Sequence, residues 1–280
     1  MSTNPLSKFF RQPAIYIRLP SQGQGWPAGT LNLPENGELP VLPMTAIDEI
    51  TYRTPDALFN GESVVSVVAS CVPNIIDPWA IPTTDLDALL IAIRIASSGH
   101  SIDIDTTCPS CETESSFEMD LRNIMDRLSV TDYSKSFTQG DLTFYFRPLN
   151  YREITANSLE QFEYQKTLQA LNTDTTGLDE KDKVSKLNSM MRNLISVTVK
   201  AMSQSIVEIR TQEAVVSDHR HIEEFLSQCD RILFNRVRDH VISLRESSEL
   251  KPLSVTCPSC NHQYQQAFTL DMANFFDSAS

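Results

Sequence analysis

Cys108-Pro109-Ser110-Cys111 and Cys257-Pro258-Ser259-Cys260 are two copies of one tetrapeptide, and together they supply four thiols in the pattern of a structural zinc site. A tetrahedral zinc ion takes four sulfur or nitrogen donors, at about 2.3 Å for sulfur and about 2.0 Å for nitrogen, and a C-x2-C turn presents two thiolates from one tight knuckle. Each pair alone supplies too few ligands. The two knuckles therefore predict one closed site, with Cys108, Cys111, Cys257 and Cys260 as its ligands.

The likeness of the copies extends past the cysteines. Thr107 precedes the first knuckle, and Phe117, Met119, Asp120, Leu121 and Asn123 follow it. Thr256 precedes the second, and Phe268, Leu270, Asp271, Met272 and Asn274 follow with a two-residue insertion. Ahead of each knuckle an apolar residue alternates with polar ones (Ile102, Ile104; Leu253, Val255), the period of a half-buried strand. Each copy reads as strand, knuckle, strand, which is the hairpin of a zinc ribbon.

A ribbon ordinarily separates its pairs by about 15–20 residues, whereas here a whole subdomain intervenes. Closing a loop of roughly 100 residues or more costs about 4–5 kcal/mol, and structural zinc contributes on the order of 10–16 kcal/mol at neutral pH, so the metal suffices to hold the two ends together. Three other readings compete. A redox C-x-x-C needs its thiol at a helix N-terminus, yet residues 113–119 and 263–270 read as strand. Disulfides need an oxidising compartment, and Met1-Ser2-Thr3-Asn4-Pro5-Leu6 carries no apolar h-region to direct the chain there. Two separate sites completed by histidine would use His262, two residues past Cys260, but only His100 lies near the first knuckle. Cys71 and Cys229 stand among apolar neighbours and read as small buried hydrophobes.

At 280 residues and 41% hydrophobic content the chain can bury one large core or two moderate ones. No apolar run reaches the roughly 18–20 residues of a membrane span. The balance of 23 basic against 36 acidic residues, a net charge of -13, repels phosphate backbones. Nor does a dense Lys/Arg cluster with interleaved aromatics offset it, so nucleic acid is not an expected partner. Gly23, Gly25 and Gly29 fall in a Pro/Gln-rich stretch with no helix pattern after it, and so make no phosphate loop.

Residues 1–41 are rich in turn formers and read as an arm, either flexible or an extended strand that orders against a partner. Residues 42–125 read as an α+β core holding the first knuckle. In it, residues 61–71 read as a short buried helix stopped by Pro73, with a strand left open by the valine enrichment, and a nearly all-apolar core helix is expected to start at an N-cap Thr84 and end near Gly99. Arg94 lies inside that helix with its charged tip expected to reach solvent, the other reading being a contact with another protein. Residues 126–250 read as an inserted helical subdomain. It comprises a strand over 141–147 ended by Pro148, helices marked by Ile154 to Leu168, Val184 to Met202 and Ile222 to Leu244, the last broken near Asp230, and polar linkers over 172–182 and 203–217. Residues 251–280 hold the second knuckle hairpin. The expected fold class is thus α+β, mainly helical, with a bipartite zinc-ribbon-like unit of two hairpins brought together by an intervening helical bundle.

No catalytic constellation emerges. His219 and His221, two apart, cannot share a helical face and read as surface residues, as does the solvent-facing pair Asp103 and Asp105. Asp85 and Asp87 read as the acidic first turn of their helix. A four-thiolate zinc has no open position for water and is structural. These features predict a non-enzyme.

Several short motifs recur in a known order: Leu19-Pro20-Ser21-Gln22-Gly23, Leu42-Pro43-Met44-Thr45-Ala46-Ile47-Asp48-Glu49, residues 58–72 with Gly61 and Ser70-Cys71, and residues 85–99 running into the first knuckle. Over roughly residues 14–125 this order resembles the baseplate protein family of T4-like contractile-tailed bacteriophages, with weaker agreement in the helical part. The resemblance implies a component of the baseplate hub or of its assembly pathway, made in the cytoplasm of the infected host. It would act through contacts with other hub or tail proteins, without turnover, and could end in the virion. The zinc reading stands on this sequence alone. Against this structural role stands a second class, an adaptor whose zinc ribbon binds nucleic acid or a transcription partner.

Overall fold

The computed structural model describes residues 4–53, 61–129, 131–172, 180–248 and 250–266. The chain is mixed α/β and divides into two compact units, Met1–Val130 with Ser248–Ser280, and Thr131–Ser247.

In the first unit, β1 (Ile15–Arg18) pairs antiparallel with β2 (Glu38–Val41), Ile17 opposite Leu39. The pleat sends Ile17, Leu39 and Val41 into the core and leaves Tyr16 exposed. The segment read as an arm ordering against a partner therefore finds its strand partner in its own chain. Pro40 sits in this two-stranded ribbon opposite Tyr16, where no further strand needs its missing N–H. The loop between the strands is tied back by Asn32 N to Asn74 O at 2.8 Å and Ile76 N to Thr30 O at 2.8 Å.

Helix α1 (Ala46–Tyr52) opens with a reciprocal capping box, Thr45 accepting from Asp48 N while Asp48 accepts from Thr45 N. Helix α2 (Glu62–Cys71) starts after Gly61, which holds the left-handed conformation, and buries Val64, Val67, Val68 and Cys71 on one face. Helix α3 (Thr83–Ser98) is enclosed on every side, with Leu89, Leu90, Ile91, Ala92 and Ile93 all at 0% exposure, and it ends at left-handed Gly99. Two expectations for α3 fail. Its N-cap is Pro82, one residue before the helix opens at Thr83, and the Thr84 hydroxyl is buried with no hydrogen-bond partner among the described residues. Arg94 is 4% exposed, so its tip does not stand in solvent.

The second unit is built on a four-stranded antiparallel sheet in the order β5 (Phe137–Gln139), β6 (Leu142–Phe146), β7 (Ile206–Arg210), β8 (Val215–Val216). Beyond the short helix α4 (Leu121–Met125) of the first unit, helices α5 (Tyr151–Asn172), α6 (Glu180–Ser205), α7 (His219–Gln228) and α8 (Arg231–Ser248) accompany this sheet. The core gathers Phe144, Phe146, Val199, Met202, Ile206, Ile209, Ile222, Leu226 and Val237. The expected helical subdomain with a single strand over 141–147 is thus corrected to helices on a four-stranded sheet, because the supposed polar linker at 203–217 carries β7 and β8. Between Tyr145 and Phe146 the register with β7 shifts by one, leaving Val207 as an extra residue. That bulge spaces the buried Ile206 and Ile209 three apart and hides the strand's period of two. The expected break near Asp230 is present: Cys229 is extended, and Asp230 Oδ1 accepts from Ile232 N at 2.8 Å and Leu233 N at 3.0 Å.

Candidate metal centre

Two hairpins build the site. Strand β3 (Ser101–Thr107) pairs with β4 (Glu114–Asp120), Thr107 opposite Glu114, and β9 (Leu253–Thr256) pairs with β10 (Gln263–Gln266), Thr256 opposite Gln263. The turns between the strands are the same turn made twice. Cys108 N donates to Thr113 O at 3.0 Å and Glu112 N to Cys108 O at 2.9 Å; Cys257 N donates to His262 O at 2.9 Å and Asn261 N to Cys257 O at 2.9 Å. Glu112 and Asn261 occupy equivalent left-handed positions, φ 57° and 58°. The copies match without a gap as far as Gln266. The two-residue insertion before Phe268, and the repeat of the apolar–Asp–apolar triplet, lie outside the described residues.

Strands, not helices, follow both knuckles, so neither thiol pair sits where a helix dipole activates a redox cysteine. Each hairpin turns its alternating apolar residues inward: Ile102 and Ile104 are half-buried, Leu253 and Val255 buried, and Asp103 and Asp105 face solvent. Thr106 Oγ1 and Tyr264 OH lie 2.7 Å apart and join one hairpin to the other just behind the sulfurs.

At the tips the four Sγ atoms lie within 4.8 Å of one another. Cys108 Sγ is 3.7 Å from Cys260 Sγ, and Cys111 Sγ is 3.6 Å from Cys257 Sγ, so the first cysteine of each knuckle faces the second of the other. A tetrahedron of sulfurs about 2.3 Å from a central ion has edges of about 3.8 Å, close to both separations. All four cysteines are free thiols, Cys108 and Cys257 buried, Cys111 and Cys260 exposed. The hydroxyl and backbone amide of Thr113 favour the Cys111 thiolate and lower its pKa to about 6. At Cys260 the His262 amide also favours the thiolate, yet the neighbouring sulfurs of Cys111, Cys257 and Cys108 outweigh it and hold that thiol up to about 12. Four thiolates this close repel one another, and a central cation removes the repulsion. The donor set fits a soft metal ion in a closed tetrahedron and leaves no coordination position for substrate or water.

The sequence-predicted ligands Cys108, Cys111, Cys257 and Cys260 are all brought together. His100 and His262 are exposed and lie outside the sulfur cluster. Cys71 is fully buried, as expected, with burial pushing its thiol up to about 12, whereas Cys229, also expected to be buried, is only half-buried at the end of α7. His219 and His221 are exposed on α7. Sequence reading missed the Thr106–Tyr264 bridge and the two left-handed turn residues. The signal for the latter was available, since Asn261 is a residue that tolerates that conformation.

Fold and site together define a two-unit α/β protein in which cysteines 146 and 152 positions apart meet at a single sulfur cluster. Residues 33–277 match the family model described as T4 bacteriophage base plate protein, and the chain belongs to that family. The match runs on through the helical region, well past the motifs that first carried the resemblance, while Leu19 to Gly23 precede it. No curated protein and no solved structure matches. No helix among the described residues is long and apolar enough to cross a membrane.

Proposed function

We propose that this baseplate family member is a structural or assembly component of the hub of a contractile phage tail, acting by protein–protein contacts and without turnover, and stabilised by one zinc ion on Cys108, Cys111, Cys257 and Cys260. The observation that carries the metal reading is the crosswise meeting of the four sulfurs at separations of 3.6 and 3.7 Å. Zinc is the ion favoured by four thiolates in a closed tetrahedral site, where it contributes folding energy rather than Lewis-acid chemistry. Its role is mechanical: it ties the hairpin after residue 250 to the hairpin before residue 126, closing the loop formed by the inserted segment. Membership of the family supports contacts with other phage proteins, with synthesis in the host cytoplasm and incorporation into the tail. An adaptor for nucleic acid finds no such support, and the net charge of -13 opposes it.

The test is mass spectrometry of purified tail particles and of tail assembly intermediates, with zinc measured in the purified full chain. The chain in particles or intermediates beside hub proteins, with one zinc bound, is the expected result. Absence from both, or a metal-free chain whose folding ignores chelators, contradicts it.

A further inference from the structure

The two knuckle hairpins are unequal in length: β3 and β4 run to seven residues each, β9 and β10 to four. One side of the first hairpin is polar, with Asp103, Asp105, Glu114 and Glu118 exposed. On its other side Ile104 stands opposite Phe117 and Ile102 opposite Met119, four apolar side chains that remain half-buried. Counted back from the sulfurs, the inward sides of the two hairpins match step for step. Thr106 meets Tyr264, which pairs with Val255, and one step further Ile104 and Phe117 correspond to Leu253 and Gln266. At the following step Ile102 and Met119 have no counterpart among the described residues of the second hairpin, because Lys251 is exposed and lies before β9. The apolar face thus overhangs its neighbour by about 10 Å at roughly 3.3 Å per residue.

Beyond β10 the chain continues through Phe268-Thr269-Leu270-Asp271-Met272-Ala273-Asn274-Phe275, which repeats the residue types of Phe117-Glu118-Met119-Asp120-Leu121-Arg122-Asn123-Ile124. In the first copy Phe117 and Met119 belong to the inward side, Asp120 caps α4 by accepting from Arg122 N at 2.9 Å, and Leu121 and Ile124 are buried. The second copy is displaced by two residues relative to its knuckle. Side chains of a strand alternate with a period of two, so an even displacement preserves the side on which each residue falls. Phe268 and Leu270 therefore share the parity of Tyr264 and Gln266, the side of β10 that reaches Thr106.

We infer that the overhanging face of the first hairpin is the docking surface for the chain's own C-terminal segment, with Phe268 and Leu270 covering Ile102, Ile104, Phe117 and Met119. The segment continues from the strand that already touches this hairpin, and its apolar residues fall on the side that faces it. An apolar contact then joins the two hairpins beside the sulfur cluster. This contact is independent of which ion the sulfurs hold and of a place in the phage tail.

The experiment places a photo-crosslinking amino acid at position 268 of the purified full chain and maps the adduct by peptide mass spectrometry. The expected product is a link within one chain to the peptide holding Ile102 and Ile104 or to the one holding Phe117 and Met119. A link to any other segment, a link to a second copy, or no link overturns the inference. Leu270→Asp in the full chain provides a second measurement. Amide hydrogen exchange over residues 101–104 and 117–120 should quicken about tenfold, the scale of uncovering one large apolar side chain, while exchange in β6 and β7 of the second unit stays as in the wild type. Unaltered exchange over residues 101–104 and 117–120 in that variant contradicts the contact.

Discussion

Thr106 Oγ1 and Tyr264 OH, 158 positions apart in the chain, lie 2.7 Å from each other between the two knuckle hairpins. Thr106 is 5% exposed, so the Tyr264 hydroxyl satisfies a buried group that has only a long contact, 3.4 Å, to Ser115 O as an alternative. The bridge makes the hairpin pairing a matter of protein contacts as well as of sulfur.

Tyr264→Phe removes one side of that bridge and is expected to cost about 1 kcal/mol, read as a lower denaturant midpoint. Thr106→Val costs a similar amount alone. The double variant falls short of the sum of the two, because both remove one interaction.

The turn residues give a prediction of opposite sign at equivalent positions. Glu112 holds φ 57° with no glycine or asparagine to ease it, so Glu112→Gly stabilises the first knuckle by about 0.5–1 kcal/mol. Asn261→Val, a β-branched residue forced to φ 58°, destabilises the second by about 1–2 kcal/mol. Thermal unfolding of the metal-loaded proteins checks both.

Acid sensitivity is expected at Asp48. Burial pushes its carboxyl up, but the Thr45 amide and hydroxyl, the Ser70 hydroxyl and the Arg11 guanidinium, 3.2 Å away, outweigh burial and hold it below the ordinary range. A carboxyl whose pKa is lowered by folding adds stability above its unfolded value, about 3.9, and loses it as the pH falls through the lowered one. Denaturation midpoints of the wild type should therefore decline in that acidic window. Asp48→Asn should lower stability by about 1 kcal/mol at neutral pH and flatten the decline.

Asp85 is a fourth point of control. It is fully buried and accepts from Ser21 N at 2.8 Å and Trp26 Nε1 at 2.7 Å, tying the loop after β1 to the start of α3. Asp85→Leu leaves those donors without an acceptor and is expected to cost about 2–4 kcal/mol. A shift in Trp26 fluorescence should accompany the loss.

What could be read in advance followed from local periodicity and ligand spacing. The C-x2-C pairs, the alternating Ile102 and Ile104, and the i, i+3, i+4 valines of α2 each carry their structure in a few adjacent residues. Features set by distant partners stayed hidden. Asp85 has the ordinary place of an acidic residue in a helix first turn, and nothing near it announces Ser21 and Trp26 some sixty positions earlier. The pairing of β1 with β2 was obscured by Pro40 and the turn-rich loop between them, and β7 by its bulge at Val207. Arg94 misled because burial depends on what surrounds α3 on all sides, not on the helix alone.

The most direct measurement is X-ray absorption at the zinc edge of the purified full chain, with metal content determined on the same sample. One zinc per chain, with four sulfur scatterers at about 2.3 Å and loss of the metal in Cys257→Ser/Cys260→Ser, is the predicted result. A substoichiometric metal, a nitrogen- or oxygen-rich first shell, or full zinc retention in that double variant would contradict the claim that one ion joins the two knuckles.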